Sequence, residues 1–423
     1  MRLELTEAYL RILEEELKPA VGCTEPLALA YAAALLRKYL GTEPEWIKAV
    51  VSGNIVKNAK SVTVPNTAGL KGIAAAIAIG VVAGDPSKEL EVIADVPEET
   101  PARCRKFLES ATIDIRCMDT PHQLDIFLEG CCGKDCACVR ITSGHTKVVY
   151  LEKNGEILLD LPTDQLEDDY RSDRSILNIR DIVAFAEQVD IVCLKQSLAQ
   201  QLAMNMAIAD EGMKHHYGSN IGKIILGMED SAVDRAVAYA AAGSDARMSG
   251  CCMPVVILSG SGNQGLTASV PVAYYGQAID RSEEKIYRAL AISALVTIHL
   301  KTGIGKLSAY CGAVSAGCGA GAGIAYLRGA GEEQIALTVN NALGILSGMI
   351  CDGAKPSCAC KIAMAVRAGI LAYEMVLCKS SLSSGDGIIG ADVEDTITNI
   401  GLIGREGMRS TDRVILDIML GTV

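Results

Sequence analysis

The chain has 423 residues, 50% of them hydrophobic and 4% aromatic, with a formal net charge of −12. That length supplies material for two to three domains and a large core. The acidic balance, with no Lys/Arg cluster of the size a nucleic-acid face needs, argues against a nucleic-acid partner.

Three Phe and one Trp stand against 41 Gly, so the core must be packed from Ala, Ile, Leu, Val and Gly. Such a composition suits close-packed helices better than a β-sandwich, whose strands favour aromatics. The opening Met1-Arg2-Leu3-Glu4-Leu5-Thr6-Glu7 is charged and lacks the apolar stretch of a signal peptide. The longest apolar runs, such as Gly72 to Gly84, are too short to span a bilayer. A cytoplasmic protein with no membrane partner is expected. Sixteen cysteines in such a chain point to reduced thiols and metal ligation, not to a disulfide framework.

In chain order, Thr6 to Lys18 reads as an amphipathic helix. A turn follows through Gly22-Cys23-Thr24-Glu25-Pro26, then a helix from Leu27 to Leu40 that stops at Gly41. Pro26 is read as the first helical residue, with Thr24 or Glu25 at the cap. Cys23 then precedes a helix N-terminus, whose dipole and amides favour a thiolate. Ala49 to Ala59 reads as a strand or turn leading to a helix, Val62 to Thr67 as a loop and Gly69 to Val82 as a buried helix.

From Asp85 the pattern changes. Leu90 to Val96, Ile113 to Met118, Leu124 to Cys132, Cys138 to Thr142, Lys147 to Glu152 and Ile157 to Leu159 read as strands, with a helix at Thr100 to Ala111 among them. Asn154-Gly155 marks a hairpin turn. Asp164 to Arg174 is a charged connector. From Ile179 onward the pattern is mostly helical. The fold class is therefore α+β, mostly helical: a Gly/Ala-rich main domain from residues 1–84 and 165–423 carrying the site, and an inserted smaller α+β subdomain at 85–164.

The segment from Tyr310 to Lys361 holds Cys311, Cys318, Cys351, Cys358 and Cys360. Gly353 and Pro356 break regular structure, so Cys351 and Cys358 hang on a turn able to fold around an object. Cys311 and Cys318, seven apart, share a helical face as ligands or as core. Ser259-Gly260-Ser261-Gly262-Asn263-Gln264-Gly265 matches G-x-G-x-x-G by letter, but Pro271 interrupts the helix that should follow and the βαβ context is missing. It remains either an anion nest or a plain loop. Ser52-Gly53-Asn54 repeats the Ser-Gly-Asn core of Ser261-Gly262-Asn263. The two turns either grip the ends of one polar ligand or are ordinary turns. Cys131-Cys132-Gly133-Lys134-Asp135-Cys136-Ala137-Cys138 has spacings that allow zinc, yet reads more simply as small strand residues about a turn at Gly133-Lys134-Asp135. No H-E-x-x-H or G-x-S-x-G pattern is present.

Six motifs in order then carry a resemblance: Gly22 to Pro26, Ser52 to Ala59, Val64-Pro65-Asn66-Thr67, Gly260 to Gly265, Cys311-Gly312-Ala313 and Gly348 to Cys358. Together they resemble the L-cysteine desulfidase family, whose bacterial members are often labelled as an uncharacterised protein family and which is related to the iron–sulfur L-serine dehydratases. The resemblance implies a carbon–sulfur lyase with a [4Fe–4S] cluster held by Cys311, Cys351 and Cys358. It implies Cys23 as the base that removes the α-proton. The Ser52-Gly53-Asn54 and Ser261-Gly262-Asn263 turns, with Asn66, Thr67 and Gln264, are the substrate-binding candidates for a small amino acid. Homo-oligomer formation is left open. Three rival readings stand beside this one. A serine dehydratase of the same fold is the first. A pyridoxal-phosphate lyase with Lys57 as Schiff base and Gly260 to Gly265 as phosphate cradle is the second. A non-catalytic paralogue is the third.

Overall fold

The computed structural model describes residues 3–163, 172–305 and 307–422. Its first part comprises α1 (Leu3–Glu16), β1 (Lys18–Ala20), α2 (Thr24–Leu40), β2 (Trp46–Ser52), α3 (Gly53–Ala59) and α4 (Gly72–Ala83). A 3-10 turn at Pro86–Glu91 leads to α5 (Thr100–Ser110) and the strands β3 (Thr112–Met118), β4 (Asp125–Cys132), β5 (Asp135–Thr142), β6 (Val148–Lys153) and β7 (Glu156–Asp160). The remainder is helical apart from one short strand. It runs through α6 (Ile179–Gln188), α7 (Ile191–Lys214), α8 (Ile221–Met228), α9 (Ala232–Met248), β8 (Val255–Ile257), α10 (Gly262–Ala278) and α11 (Glu283–Ile304). Then come α12 (Gly312–Leu327), α13 (Glu332–Leu346), α14 (Cys358–Leu377), α15 (Val393–Leu402) and α16 (Arg409–Leu420). The fold is α+β and mostly helical, as expected.

The strands form a six-stranded mixed sheet in the order β3-β2-β4-β5-β6-β7, with β2 and β3 parallel and the other pairs antiparallel. Ile47, Ala49 and Val51 alternate inward along β2, the period-2 pattern of a half-buried strand. α2 lies on the sheet, close enough that a Cβ at Gly130 would come within 2.7 Å of Leu36 Cδ2. The sheet thus takes β2 from before residue 85, and residues 85–164 do not hold all of it. Leu90 to Val96, expected as a strand, is the end of the 3-10 turn and a bend. β2 lies between β3 and β4, pairing seven residues with the first and six with the second. The expected connector at 164–174 lies largely outside the described residues.

In the helical part, α12 packs against α10, α11, α13 and α14. Its glycines set that closeness: a Cβ at Gly319 would sit 2.4 Å from Ser293 O of α11, and one at Gly321 2.6 Å from Gly369 O of α14. α10 does not stop at Pro271. Its residues on both sides of the proline are buried, and that packing outweighs the one lost backbone hydrogen bond. Pro26 is the third residue of α2, not the first, because Cys23 is the cap. Among the described residues, no helix is long and apolar enough to cross a membrane.

A small ladder fixes the site. β1 pairs antiparallel with β8, Lys18 opposite Ile257 and Ala20 opposite Val255. The turn carrying Cys23 follows β1, the turn carrying Ser259 to Gln264 follows β8, and a hydrogen bond from Thr24 Oγ1 to Gly260 O at 3.0 Å ties the two turns together.

A thiol-lined candidate active site

Cys23 caps α2 with φ −79° and ψ 136°, and its side chain caps no backbone N–H. Gly22 before it has φ +93°, and a Cβ there would come within 2.6 Å of Pro65 Cγ. The turn is therefore open only to glycine. Cys23 is 4% exposed, and its thiol donates to Glu25 Oε2 at 3.1 Å. Thr24 Oγ1, 3.1 Å from the same oxygen, shares its one O–H between it and Gly260 O, and Asn58 Nδ2 donates to Oε1 at 3.1 Å. His145 Nε2 stands 4.0 Å from Oε1, beyond hydrogen-bond distance.

Burial and the Glu25 carboxylate oppose the expected preference of the helix terminus for a Cys23 thiolate. Burial pushes the thiol well up, and the Glu25 carboxylate pushes it further, against the smaller opposing effect of the Arg247 guanidinium. Burial also pushes Glu25 upward, but the His145 imidazole and the Cys23 thiol outweigh it and hold the carboxyl at about 2. The resting pair is a thiol beside a carboxylate.

The other cysteines come together through an isolated antiparallel bridge between Tyr310 and Ile350. Cys311 N donates to Met349 O at 3.2 Å, and Cys351 N to Ala309 O at 2.6 Å, so the two thiols are neighbours across the bridge. The hydrogen bond from the Cys311 thiol lowers Cys351 to about 6, against the desolvation of burial and with help from the Lys57 charge. The same contact, with burial, raises Cys311 well above the ordinary thiol range. Cys358 opens α14, and its Sγ lies 3.7 Å from Gly353 O. Gly353 has φ +94°, with its missing Cβ direction only 2.2 Å from Lys57 O. The loop is tied down by Lys355 Nζ to Asp352 O at 2.8 Å and Lys361 Nζ to Ile350 O at 2.8 Å.

Cys23, Cys311, Cys351 and Cys358 line one cavity of about 110 Å³, together with Ser261, Asn263 and Gln264. Five buried side-chain atoms without a hydrogen-bond partner belong to residues lining it: His145 Nε2, Arg247 Nε, Ser259 Oγ, Gln264 Oε1 and Tyr310 Oη. Buried polar groups are normally satisfied, so this clustering marks a place for a polar ligand. Among the described residues no three His, Cys, Asp or Glu side chains converge on a single-ion position. Cys311, Cys351 and Cys358 line the cavity, and thiolates are the usual ligands of iron–sulfur clusters.

Four expected binding residues lie elsewhere. Ser52 Oγ donates to Gln123 O at 2.9 Å and accepts from Asp125 N at 3.3 Å, joining β2 to the lead-in of β4. Asn54 sits in α3, outside the cavity lining, with Oδ1 buried and unpartnered. Asn66 donates to Ile93 O at 2.7 Å and accepts from Cys252 Sγ at 2.8 Å in a separate surface pocket. Thr67 is fully buried and donates to Val64 O at 2.7 Å. Thr67 is taken up by its own turn, and Ser52 and Asn66 by distant partners.

Cys131 and Cys136 face each other across the β4–β5 hairpin and are joined in a disulfide. Cross-strand register produces this pair, correcting the expectation of reduced thiols there. Cys318 is fully buried in α12, and Cys360 is exposed on α14. Lys57 is buried with its amine paired to Asp412, outside the cavity lining.

Glu25, Asn58, His145, Arg247 and Lys301 also line the cavity and were not singled out from sequence. Glu25 and Asn58 stand inside quoted motifs. Arg247 and Lys301 stand among other charged residues of α9 and α11, such as Asp245 and Arg288, and nothing in the pattern sets them apart. His145, on the β5–β6 loop, gave no signal either.

A helical α+β protein with a buried cavity lined by thiols and unpartnered polar groups has the form of an enzyme. The sequence profile of the serine dehydratase alpha chain family matches residues 87–417, and the chain belongs to that family of lyase-type enzymes. It is 50% identical over 417 residues to a UPF0597 protein of Desulfitobacterium hafniense, covering 98% of this chain and 96% of that one. UPF0597 proteins of Treponema denticola and Fusobacterium nucleatum are each 45% identical over 422 residues, covering 98% of both chains.

Proposed function

We propose that the chain eliminates sulfide from L-cysteine, giving pyruvate, ammonia and hydrogen sulfide. The observation that carries this reading is the shared cavity: three thiols from two distant segments line it, with a fourth, Cys23, from the N-terminal region. Cys311, Cys351 and Cys358 would hold a [4Fe–4S] cluster. With three protein thiolates such a cluster supplies an iron open to the substrate's leaving sulfur, a Lewis acid for a poor leaving group.

The chain's own residues do the rest. Cys23 acts as the base in its thiolate form, which the Arg247 charge favours against burial and the Glu25 carboxylate. It then takes the proton from Cα. The electron pair of that C–H bond forms the Cα–Cβ double bond, and the C–S bond breaks with its electrons on sulfur. The aminoacrylate tautomerises to an imine, and water hydrolyses it to pyruvate and ammonia. Ser261, Asn263 and Gln264 at the start of α10 orient the substrate.

The family membership favours a second reading, in which the same site eliminates hydroxide from L-serine. Pyruvate release from each amino acid by anaerobically reconstituted protein separates the two. The pyridoxal-phosphate alternative loses support because the Lys57 amine is paired with Asp412 outside the cavity lining.

A further inference from the structure

We propose that Arg247 anchors the α-carboxylate of the amino-acid substrate, with the first turn of α10 completing the anion site. This rests on the lyase reading above and assigns the substrate's orientation within it.

Arg247 sits in the last turn of α9 and is 2% exposed. Its Nη2 donates to Gly22 O at 2.8 Å and its Nη1 to Asn263 Oδ1 at 3.1 Å. Those two bonds leave other N–H groups of the fork unused, and Nε is buried without a partner. Among the described residues no carboxylate forms an ion pair with it. A guanidinium remains charged throughout the working pH range, and a buried charge without a counter-charge is costly. The fold nevertheless keeps it there, because residue 262 is glycine: a Cβ would come within 2.4 Å of Nε and 2.7 Å of Cζ.

The guanidinium lies against the amino end of a seventeen-residue helix. Ser261 caps α10 without a side-chain hydrogen bond to it, and the first amides of a helix have no intrahelical partner. Gln264 Oε1 and Ser259 Oγ are buried and unpartnered beside it. A fixed planar cation, free amides and neutral polar groups in one corner match a carboxylate, which the fork of arginine recognises through paired hydrogen bonds. The cysteine thiols of 311, 351 and 358 come from other elements lining the same cavity. A short α-amino acid held by its carboxylate at Arg247 would extend its β-substituent toward them.

The test uses L-alanine, which has the α-carboxylate and no leaving group, and L-alaninamide, which lacks the carboxylate. Binding to the full chain is measured by calorimetry, with and without anaerobic iron loading. L-alanine is expected to bind, and L-alaninamide at least about tenfold more weakly. Arg247→Lys, which keeps the charge and loses the fork, should weaken L-alanine about tenfold or more. Asn263→Ala, a milder change should Arg247→Lys fail to fold, should weaken it about threefold or more. Arg247→Lys should also raise KM for L-cysteine more than it lowers kcat.

Failure to bind L-alanine, or equal affinity for L-alanine and its amide, overturns the assignment. So does unchanged L-alanine affinity in Arg247→Lys or Asn263→Ala. If Arg247→Lys alters only the alkylation rate of Cys23, the guanidinium serves that thiol and not a substrate. If L-alanine binds through Arg247 while neither L-cysteine nor L-serine is consumed, the lyase reading fails and the anchor stands.

Discussion

The Cys23 thiol donates a hydrogen bond to Glu25 Oε2 at 3.1 Å, and both side chains are buried at the mouth of α2. Burial and the adjacent carboxylate push the thiol up, so Cys23 should alkylate slowly with iodoacetamide near about pH 7.5. The exposed Cys252, Cys360 and Cys378 should label first. Glu25→Gln removes the charge that raises the thiol, and Cys23 labelling should quicken several-fold. Peptide mass spectrometry reads both rates, and unchanged labelling of Cys23 in the variant would count against the pairing.

Glu25 also carries a pH signature. Its folded-state carboxyl is held at about 2, below an unfolded value of about 4.3. The stability it contributes is therefore present above about pH 4.3 and is lost as pH falls through about 2. In urea titrations, the deficit of Glu25→Gln should be largest near neutrality, roughly 1–3 kcal/mol, and should shrink as the solution is acidified. A deficit that grows with acid would contradict the assignment.

The helices and the hairpins were legible because their signals are local, whereas the meeting of the four thiols was expected from the family resemblance. Gly and Pro breaks bound the Cys351–Cys358 loop, Asn154-Gly155 marks a turn, and apolar runs mark α7, α11, α13 and α14. The place of β2 in the sheet was not legible, since it rests on long-range pairing with β3 and β4. That Ser52, Asn66 and Thr67 are engaged away from the cavity was not legible for a related reason. Turn-forming polar residues look alike whether they hold a ligand or their own backbone, and only coordinates show that Thr67 is spent on Val64 O. His145 reaches the cavity from the sheet, a contact that no spacing encodes.

Gly353 tests whether the loop geometry matters. Its φ of +94° and the 2.2 Å approach to Lys57 O make Gly353→Ala costly, on the order of 1–3 kcal/mol, with reduced iron uptake. Gly133→Ala is the matched comparison: φ is +58° and nothing lies within 4 Å of its Cβ direction. It should cost less and leave iron uptake unchanged. Equal effects from both would show that the contact with Lys57 is immaterial.

Cys318 is fully buried in α12, and burial raises its thiol far above the ordinary range. It is core, so Cys318→Ala should lower stability by roughly 1 kcal/mol and leave the iron content as it is. Thermal unfolding and iron analysis check this together. Loss of iron with the fold intact would instead make it a ligand.

The most direct measurement of the account is iron and sulfide content per chain after anaerobic reconstitution, paired with pyruvate release from L-cysteine. Wild-type protein should hold about four irons and release pyruvate, Cys351→Ala should lose both, and Cys23→Ala should keep the iron and lose turnover. Full iron and full turnover in Cys351→Ala, or no iron uptake by the wild-type chain, would contradict it.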